Sequence, residues 1–197
     1  MVYGVGIVKH KYPILENGRK TKEYDAWHSI LRRCYSESYQ QKCPTYRGCE
    51  VCNEWLLYDN FYEWITSQTN YKYWKKNMYW MIDKDIIYKG NKLYSPDRCC
   101  LVPQNINKLF IRSNATRGSS PIGVANCDNG FQVYCCNPFT NKQEYLGIYV
   151  SEIDAFNRYK NVKEKYIKDI AKIEYGKGTI TCKCYEAMMN YKVEITD

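Results

Sequence analysis

Apolar residues recur every three or four positions in three parts of the chain. This pattern occurs in residues 23–35, in residues 55–65, and from Ser151 to about Ala171. Ser151 is a residue type that commonly caps a helix. The pattern therefore predicts three amphipathic helices.

Shorter apolar runs bounded by turn residues predict strands. One run lies at residues 3–9, and another pair flanks the turn Lys89–Asn91, before a helix that can begin at Pro103. In the second half, three runs at 122–125, 131–136 and 144–149 precede the helix after Ser151, and a last run lies at 179–185. The chain is therefore expected to be α+β, ending in a three-stranded sheet covered by one helix.

A small, polar segment between Arg112 and Pro121 lacks apolar periodicity and predicts a linker. It divides the chain into a first domain of residues 1–112, a second of residues 113–172 and a tail of residues 173–197.

The chain has 29 basic and 21 acidic side chains, a net charge of +8 that suits a polyanionic partner. Residues 1–112 carry +7 of this charge and residues 113–197 carry +1. Any nucleic-acid footprint is therefore expected mainly in the first half.

No apolar stretch approaches the ~18 residues of a membrane span, and the opening residues become charged too early for a secretory signal. The eleven cysteines are odd in number, which together with the missing signal favours reduced thiols in the cytoplasm. We expect no membrane partner.

The second domain resembles the AP2 DNA-binding domain. The matching segments are 121–124, 145–149 and 151–156, with Tyr159 on the helix. The resemblance implies a three-stranded antiparallel sheet whose exposed face contacts DNA. Where the family presents Arg and Trp, the strands here offer Gln132, Tyr134, Lys142, Gln143 and Tyr145.

The first domain resembles a phage family of HNH-endonuclease-like proteins. The resemblance is carried in order by Trp27, Arg33, Cys34, Tyr35, Tyr46, Gly48, Val51, Cys52, Trp55, Phe61, Ile82, Asp83, Lys84, Tyr94, Ser95, Pro96, Cys99 and Asn107. It implies a ββα unit with helical decoration and a metal-dependent nuclease centre.

Within that resemblance, Lys84 occupies the position of the general-base His, and Arg98 falls near the middle Asn. A lysine is a poor base unless it is strongly desolvated. The remaining candidate catalytic residues are Asp83, His28 and Asn107; Asp83, Asp85, Asn91, Asn105 and Asn107 could hold Mg²⁺ or Mn²⁺.

Cys49 and Cys52 have the spacing of half a zinc knuckle, which Cys34 and Cys99 could complete. Buried free thiols are the alternative.

Basic side chains near aromatic residues are candidate nucleic-acid contacts. They are Arg32, Arg33, Lys72, Lys75, Lys76, Lys84, Arg98, Lys108 and Arg112 in the first domain, with Gln132 and Lys142 in the second.

Two functions are the main candidates, and a third, a purely protein-directed inhibitor whose basic patch meets an acidic partner, also stays open. The first is a non-catalytic binder of DNA, in preference to RNA, or of a nucleoprotein complex, acting as a regulator or as an inhibitor of a host defence complex in the cytoplasm of an infected bacterium. The second is an active, metal-dependent homing or nicking endonuclease. Cations at positions 84 and 98 suit phosphate binding without cleavage and favour the binder.

Overall fold

The computed structural model describes residues 1–76, 78–111 and 120–197. The chain is mixed α+β, as predicted, and divides into two compact units, Met1–Pro103 and Gln104–Asp197. This division falls earlier than the expected boundary after Arg112. Arg112 itself and most of the predicted linker lie outside the described residues.

The first unit consists of short strands and helices. They are β1 (Leu15–Glu16), β2 (Arg19–Lys20), α1 (Lys22–Tyr35), α2 (Glu37–Lys42), β3 (Glu50–Val51), α3 (Tyr58–Ser67), α4 (Tyr71–Lys76), β4 (Trp80–Asp83), β5 (Leu93–Tyr94) and β6 (Cys100–Pro103). The predicted first helix is confirmed as α1, which begins where the Thr21 side chain accepts a hydrogen bond from the Tyr24 amide. The second helical pattern is a 3-10 helix, Asn53–Leu56, followed by α3.

The strand pairing differs from the prediction. β4 pairs with β6 in antiparallel fashion, so that Asp83 lies opposite Cys100, whereas β5 pairs in parallel with β3. The expected hairpin across Lys89–Asn91 is therefore wrong. The strand expected at residues 3–9 is also wrong, because that segment contributes only isolated bridges at Val2–Gly6 and Ile7–Leu57.

Aromatic side chains dominate the core of the first unit. Trp27 from α1 is fully buried and its indole N–H donates to the Trp55 carbonyl at 2.7 Å. Tyr58 and Phe61 from α3 are also fully buried in this core. The high aromatic content is thus partly explained by packing.

The second unit contains a sheet and a long helix. Its elements are α5 (Gln104–Leu109), β7 (Val124–Cys127), β8 (Gly130–Asn137), β9 (Lys142–Tyr149), α6 (Glu152–Gly176) and α7 (Cys182–Met189). The three strands form one antiparallel sheet in the order β7-β8-β9, and Ala155, Phe156 and Tyr159 of α6 share a core with it. The three-stranded sheet with one covering helix is confirmed.

The tail folds as a helix. Thr181 accepts a hydrogen bond from the Cys184 amide at 3.3 Å and caps α7, so the strand expected at residues 179–185 is wrong. Cys184 and Met188 on this helix are fully buried.

None of the helices in the described residues combines the length and apolar content that a bilayer span requires.

Candidate nucleic-acid interface

Asp83 ends β4 and caps the turn that follows. One of its carboxylate oxygens, Oδ1, accepts hydrogen bonds from the amides of Asp85 at 2.7 Å and Ile86 at 2.8 Å. Burial is the largest influence on this carboxyl and raises its pKa. Asp83 therefore has a structural role in the turn.

Lys84 is buried and fully engaged. Its side chain forms an ion pair with Asp85 at 2.7 Å and donates to the Asn91 carbonyl at 2.6 Å, while its Nζ lies 5.9 Å from the centre of the Tyr94 ring. Only 8% of the residue is exposed. The prediction that Lys84 contacts phosphate is not supported, because its ammonium group is directed into the protein. Nor is the side chain free to act as a base.

Asn91 closes the loop after β4. Its amide nitrogen donates to the Lys84 carbonyl at 3.0 Å and its Oδ1 accepts from the Arg98 guanidinium at 3.2 Å. Arg98 also lies over the Tyr88 ring at 5.5 Å and is partly exposed. Arg98 therefore both stabilises this loop and retains some exposure to a ligand.

The residues expected to hold Mg²⁺ or Mn²⁺ are divided between the two units. Asp83, Asp85 and Asn91 belong to the first unit, whereas Asn105 and Asn107 belong to α5 of the second. Within the described residues, no three His, Cys, Asp or Glu side chains form a group suited to a metal ion.

The same result applies to the expected zinc ligands, Cys34, Cys49, Cys52 and Cys99. Burial raises the pKa of Cys34 to about 12 and that of Cys52 to about 11, and it also raises the pKa of Cys49 and Cys99. Zinc binds thiolates, and burial favours the protonated thiol. Within the described residues these four cysteines are free thiols and form no group suited to a metal ion, so the structure does not support the zinc prediction.

His28 lies among aromatic rings. Its ring centre is 5.0 Å from that of Tyr3 and 6.1 Å from that of Tyr24; in the described residues none of its contacts is with Asp83. Burial lowers the pKa of His28, and nearby Lys20 lowers it further. The structure does not bring His28 together with the other candidate catalytic residues.

The two arginines of α1 differ in environment. Arg32 is exposed and lies over the Tyr39 ring at 4.8 Å. Arg33 is half-buried over the Tyr46 ring at 5.4 Å, and its Nε has no hydrogen-bond partner in the described structure. Arg32 is therefore the better placed of the two to meet a polyanion.

A buried carboxylate positions α4 against α1. Glu23 is 1% exposed and accepts hydrogen bonds from Tyr71 and from Lys75, which lies 2.8 Å away. Burial raises the pKa of Glu23, but the bonds from Lys75 and Tyr71 outweigh it and hold the pKa below its usual value. Lys22 adds a second link, with its Nζ 4.4 Å from the centre of the Trp74 ring.

Two open grooves share α4 as a wall. The first, of about 570 Å³, is lined by Lys72, Tyr73, Lys76, Met78, Tyr79 and Trp80. The second, of about 530 Å³, is lined by Glu16, Asn17, Arg19, Lys20, Thr21, Lys22 and Lys75. Together the linings contain six cations and one carboxylate. We call these six residues, Arg19, Lys20, Lys22, Lys72, Lys75 and Lys76, the α4 surface.

Sequence reasoning found half of the α4 surface, Lys72, Lys75 and Lys76. It missed Arg19, Lys20 and Lys22, because nothing in their spacing reveals that β1–β2 and the start of α1 lie beside α4. Their charge alone was a weak signal.

The outer face of the second unit's sheet carries little charge. Gln132, Tyr134, Gln143 and Tyr145 lie on it, and Gln132 accepts a hydrogen bond from the Tyr134 hydroxyl at 2.6 Å. Lys142 is the single cation in the three strands and lies at the start of β9. Lys108 is exposed on α5.

The α4 surface is thus the larger cationic feature, and it can bind phosphate groups without any metal. The chemistry at the end of β4 is different, since Asp83 and Lys84 are both occupied in holding the loop. Searches of protein-family models, of curated proteins and of solved structures found no match to this chain.

Proposed function

We propose that this protein binds nucleic acid through the α4 surface and does not cleave it. The observation that carries the proposal is the gathering of six cations and one carboxylate along two adjoining grooves. Lys75 is partly neutralised by Glu23, and Lys22 donates to the Trp74 carbonyl. About four cations therefore remain to meet phosphates, namely Arg19, Lys20, Lys72 and Lys76.

The loop after β4 supports binding without cleavage. A general base must be free to accept a proton from water. Lys84 is held by Asp85 and the Asn91 carbonyl, and one oxygen of Asp83 is held by two amides. These bonds support a scaffold role for the position that the HNH resemblance assigns to catalysis.

The resemblances extend this proposal to a biological setting. We place the protein in an infected bacterial cell, as a phage-type regulator or inhibitor that binds DNA or a nucleoprotein complex of a host defence system. The antiparallel pair of β4 and β6 supports an HNH-like first unit, and the sheet covered by α6 supports an AP2-like second unit. The β4–β6 pair also favours the second candidate, a metal-dependent endonuclease.

A binding titration tests the first proposal. Labelled DNA would be titrated with the protein at 50 to 200 mM salt and binding followed by fluorescence anisotropy. For about four phosphate contacts, the affinity is expected to fall about 100-fold over this range. Changing Lys72 and Lys76 together to Gln should reduce the magnitude of the log–log salt slope by about 2.

The matched control changes Lys165 and Lys172 to Gln, which removes the same charge from exposed positions on α6. It should leave the affinity within about twofold. Equal weakening by both pairs, or no binding at 50 mM salt, would refute the proposal.

The endonuclease candidate is tested on supercoiled plasmid with Mg²⁺, Mn²⁺ or EDTA. Retarded but intact plasmid agrees with the binder. Metal-dependent nicking that Asp83→Ala abolishes, in a variant that remains folded, establishes the enzyme.

A further inference from the structure

The first groove beside α4 is aromatic as well as basic. The Tyr73 and Trp80 rings stack with centres 5.7 Å apart and planes 15° from parallel. Tyr79, on the same groove, is 62% exposed, and Met78 is 78% exposed. Among the described residues that line this groove there is no Asp or Glu.

We propose that this groove stacks unpaired bases, so that the preferred ligand of the protein is single-stranded nucleic acid. The inference rests on the proposed function and adds the class of ligand. In a duplex the faces of the bases are covered by their neighbours, and a protein meets only their edges and the phosphates. Only an unpaired strand can present base faces to Tyr73 and Tyr79.

Lys72 and Lys76 are positioned to contact the phosphates of such a strand. Lys72 and Lys76 are four residues apart on α4, which puts them on one side of the helix, and both line the groove. The Lys72 Nζ is also 5.0 Å from the centre of the Tyr73 ring. This ammonium group lies over the ring, so a base that stacks on that face of Tyr73 would displace it towards the phosphates of the strand.

A buried ring supports the wall of the groove. Trp80 is 8% exposed and belongs to the β4–β6 pair, opposite Pro103. Tyr73 is stacked on it and is 36% exposed. A preformed ring loses little conformational freedom on binding, which is the property of a stacking platform.

The test compares three ligands of about 15 nucleotides by anisotropy: a single strand, the duplex of the same sequence, and an abasic strand with the same phosphates. We expect the single strand to bind at least about tenfold more tightly than the other two, because stacking adds to the phosphate contacts. The change Tyr73→Leu or Tyr79→Leu should weaken single-strand binding about 5- to 100-fold and leave abasic binding unchanged. Tyr79→Phe keeps the ring and should keep the affinity.

The matched control is Tyr175→Leu, at a 44% exposed tyrosine that also stacks on a neighbouring ring, that of Tyr185 at 4.6 Å. It should not change binding. Circular dichroism would verify that each variant is folded.

The outcomes separate the two proposals. Equal binding of all three ligands, weakened by Lys72→Gln with Lys76→Gln but not by the tyrosine changes, would overturn the stacking site and leave the proposed function intact. Preference for the duplex would also overturn it. Failure of every ligand to bind at 50 mM salt would refute the proposed function itself.

Discussion

The variant Lys84→Met distinguishes a structural role of Lys84 from a role in ligand binding. Methionine is flexible and fills a similar volume, but it lacks the ammonium group. The change removes the ion pair with Asp85 and the hydrogen bond to the Asn91 carbonyl. If Lys84 is structural, the variant should lose stability and keep its affinity for nucleic acid.

The expected loss follows from the exposure of each partner. The Asn91 residue is 7% exposed, and a buried carbonyl left without a donor costs about 1–3 kcal/mol. The Asp85 side chain is 44% exposed, so losing its partner costs only about 0–1 kcal/mol. Burying an ammonium group is itself costly, and its removal offsets part of the loss. The net destabilisation is therefore about 2 kcal/mol.

Thermal and urea unfolding would measure this change. For a unit of this size, 2 kcal/mol lowers the melting temperature by about 10 °C. The control is Lys89→Met, an exposed lysine on the same loop, which should change stability by less than about 0.5 kcal/mol. Unchanged stability of the Lys84→Met variant with a tenfold weaker affinity would mean that Lys84 contacts the ligand, and the reasoning would fail.

Two further predictions concern stability. The Glu23 pKa is lowered on folding, so its stabilising contribution is complete above the unfolded-state pKa of about 4.3 and is lost as the pH falls through the folded-state value. Glu23→Gln should therefore destabilise the first unit by about 2 kcal/mol at pH 7. The free energy of unfolding of the variant should also depend less on pH at acidic pH. A pH dependence equal to that of the wild type would contradict this. In the second unit, Gly123 has a φ of +78°, and a Cβ there would overlap the Tyr159 ring. Gly123→Ala should lower the free energy of unfolding, measured in urea, by about 3 kcal/mol. The control Gly178→Ala, at a position with a φ of +68° and open space for a Cβ, should lower it by about 1 kcal/mol. Equal losses in the two variants would refute the packing argument.

Regular, local patterns predicted the secondary structure well. α1 and α6 follow an apolar period within one segment, and the three strands before α6 are joined by short turns. The α6 cap at Ser151 was likewise visible in the sequence. Such features depend on neighbours in sequence, so periodicity and turn residues suffice to predict them.

Non-local pairing was not predictable in the same way. β4 pairs with β6 across residues 84–99, and β5 pairs with β3, which is far away in sequence. The Lys89–Asn91 turn signal is real, since Gly90 has a φ of +73°, but the turn does not join paired strands. The alternating pattern of residues 179–185 is typical of a strand. The segment nevertheless begins a helix, because the Thr181 side chain caps it.

At the candidate site, too, residue type can be predicted from the sequence, whereas the environment of each residue depends on non-local contacts. Sequence places Lys84 and Lys72 in one class, because both are cations near aromatic residues. The fold turns the Lys84 ammonium group towards Asp85 and Asn91, and places Lys72 on an open groove with Tyr73 and Tyr79. A cation already paired inside the protein contributes little to a polyanion's binding energy, whereas an exposed one displaces a counterion for each phosphate it meets. The net charge of +8 therefore overstates the charge available to a ligand, and under the proposed function we expect the few cations along α4 to govern the affinity.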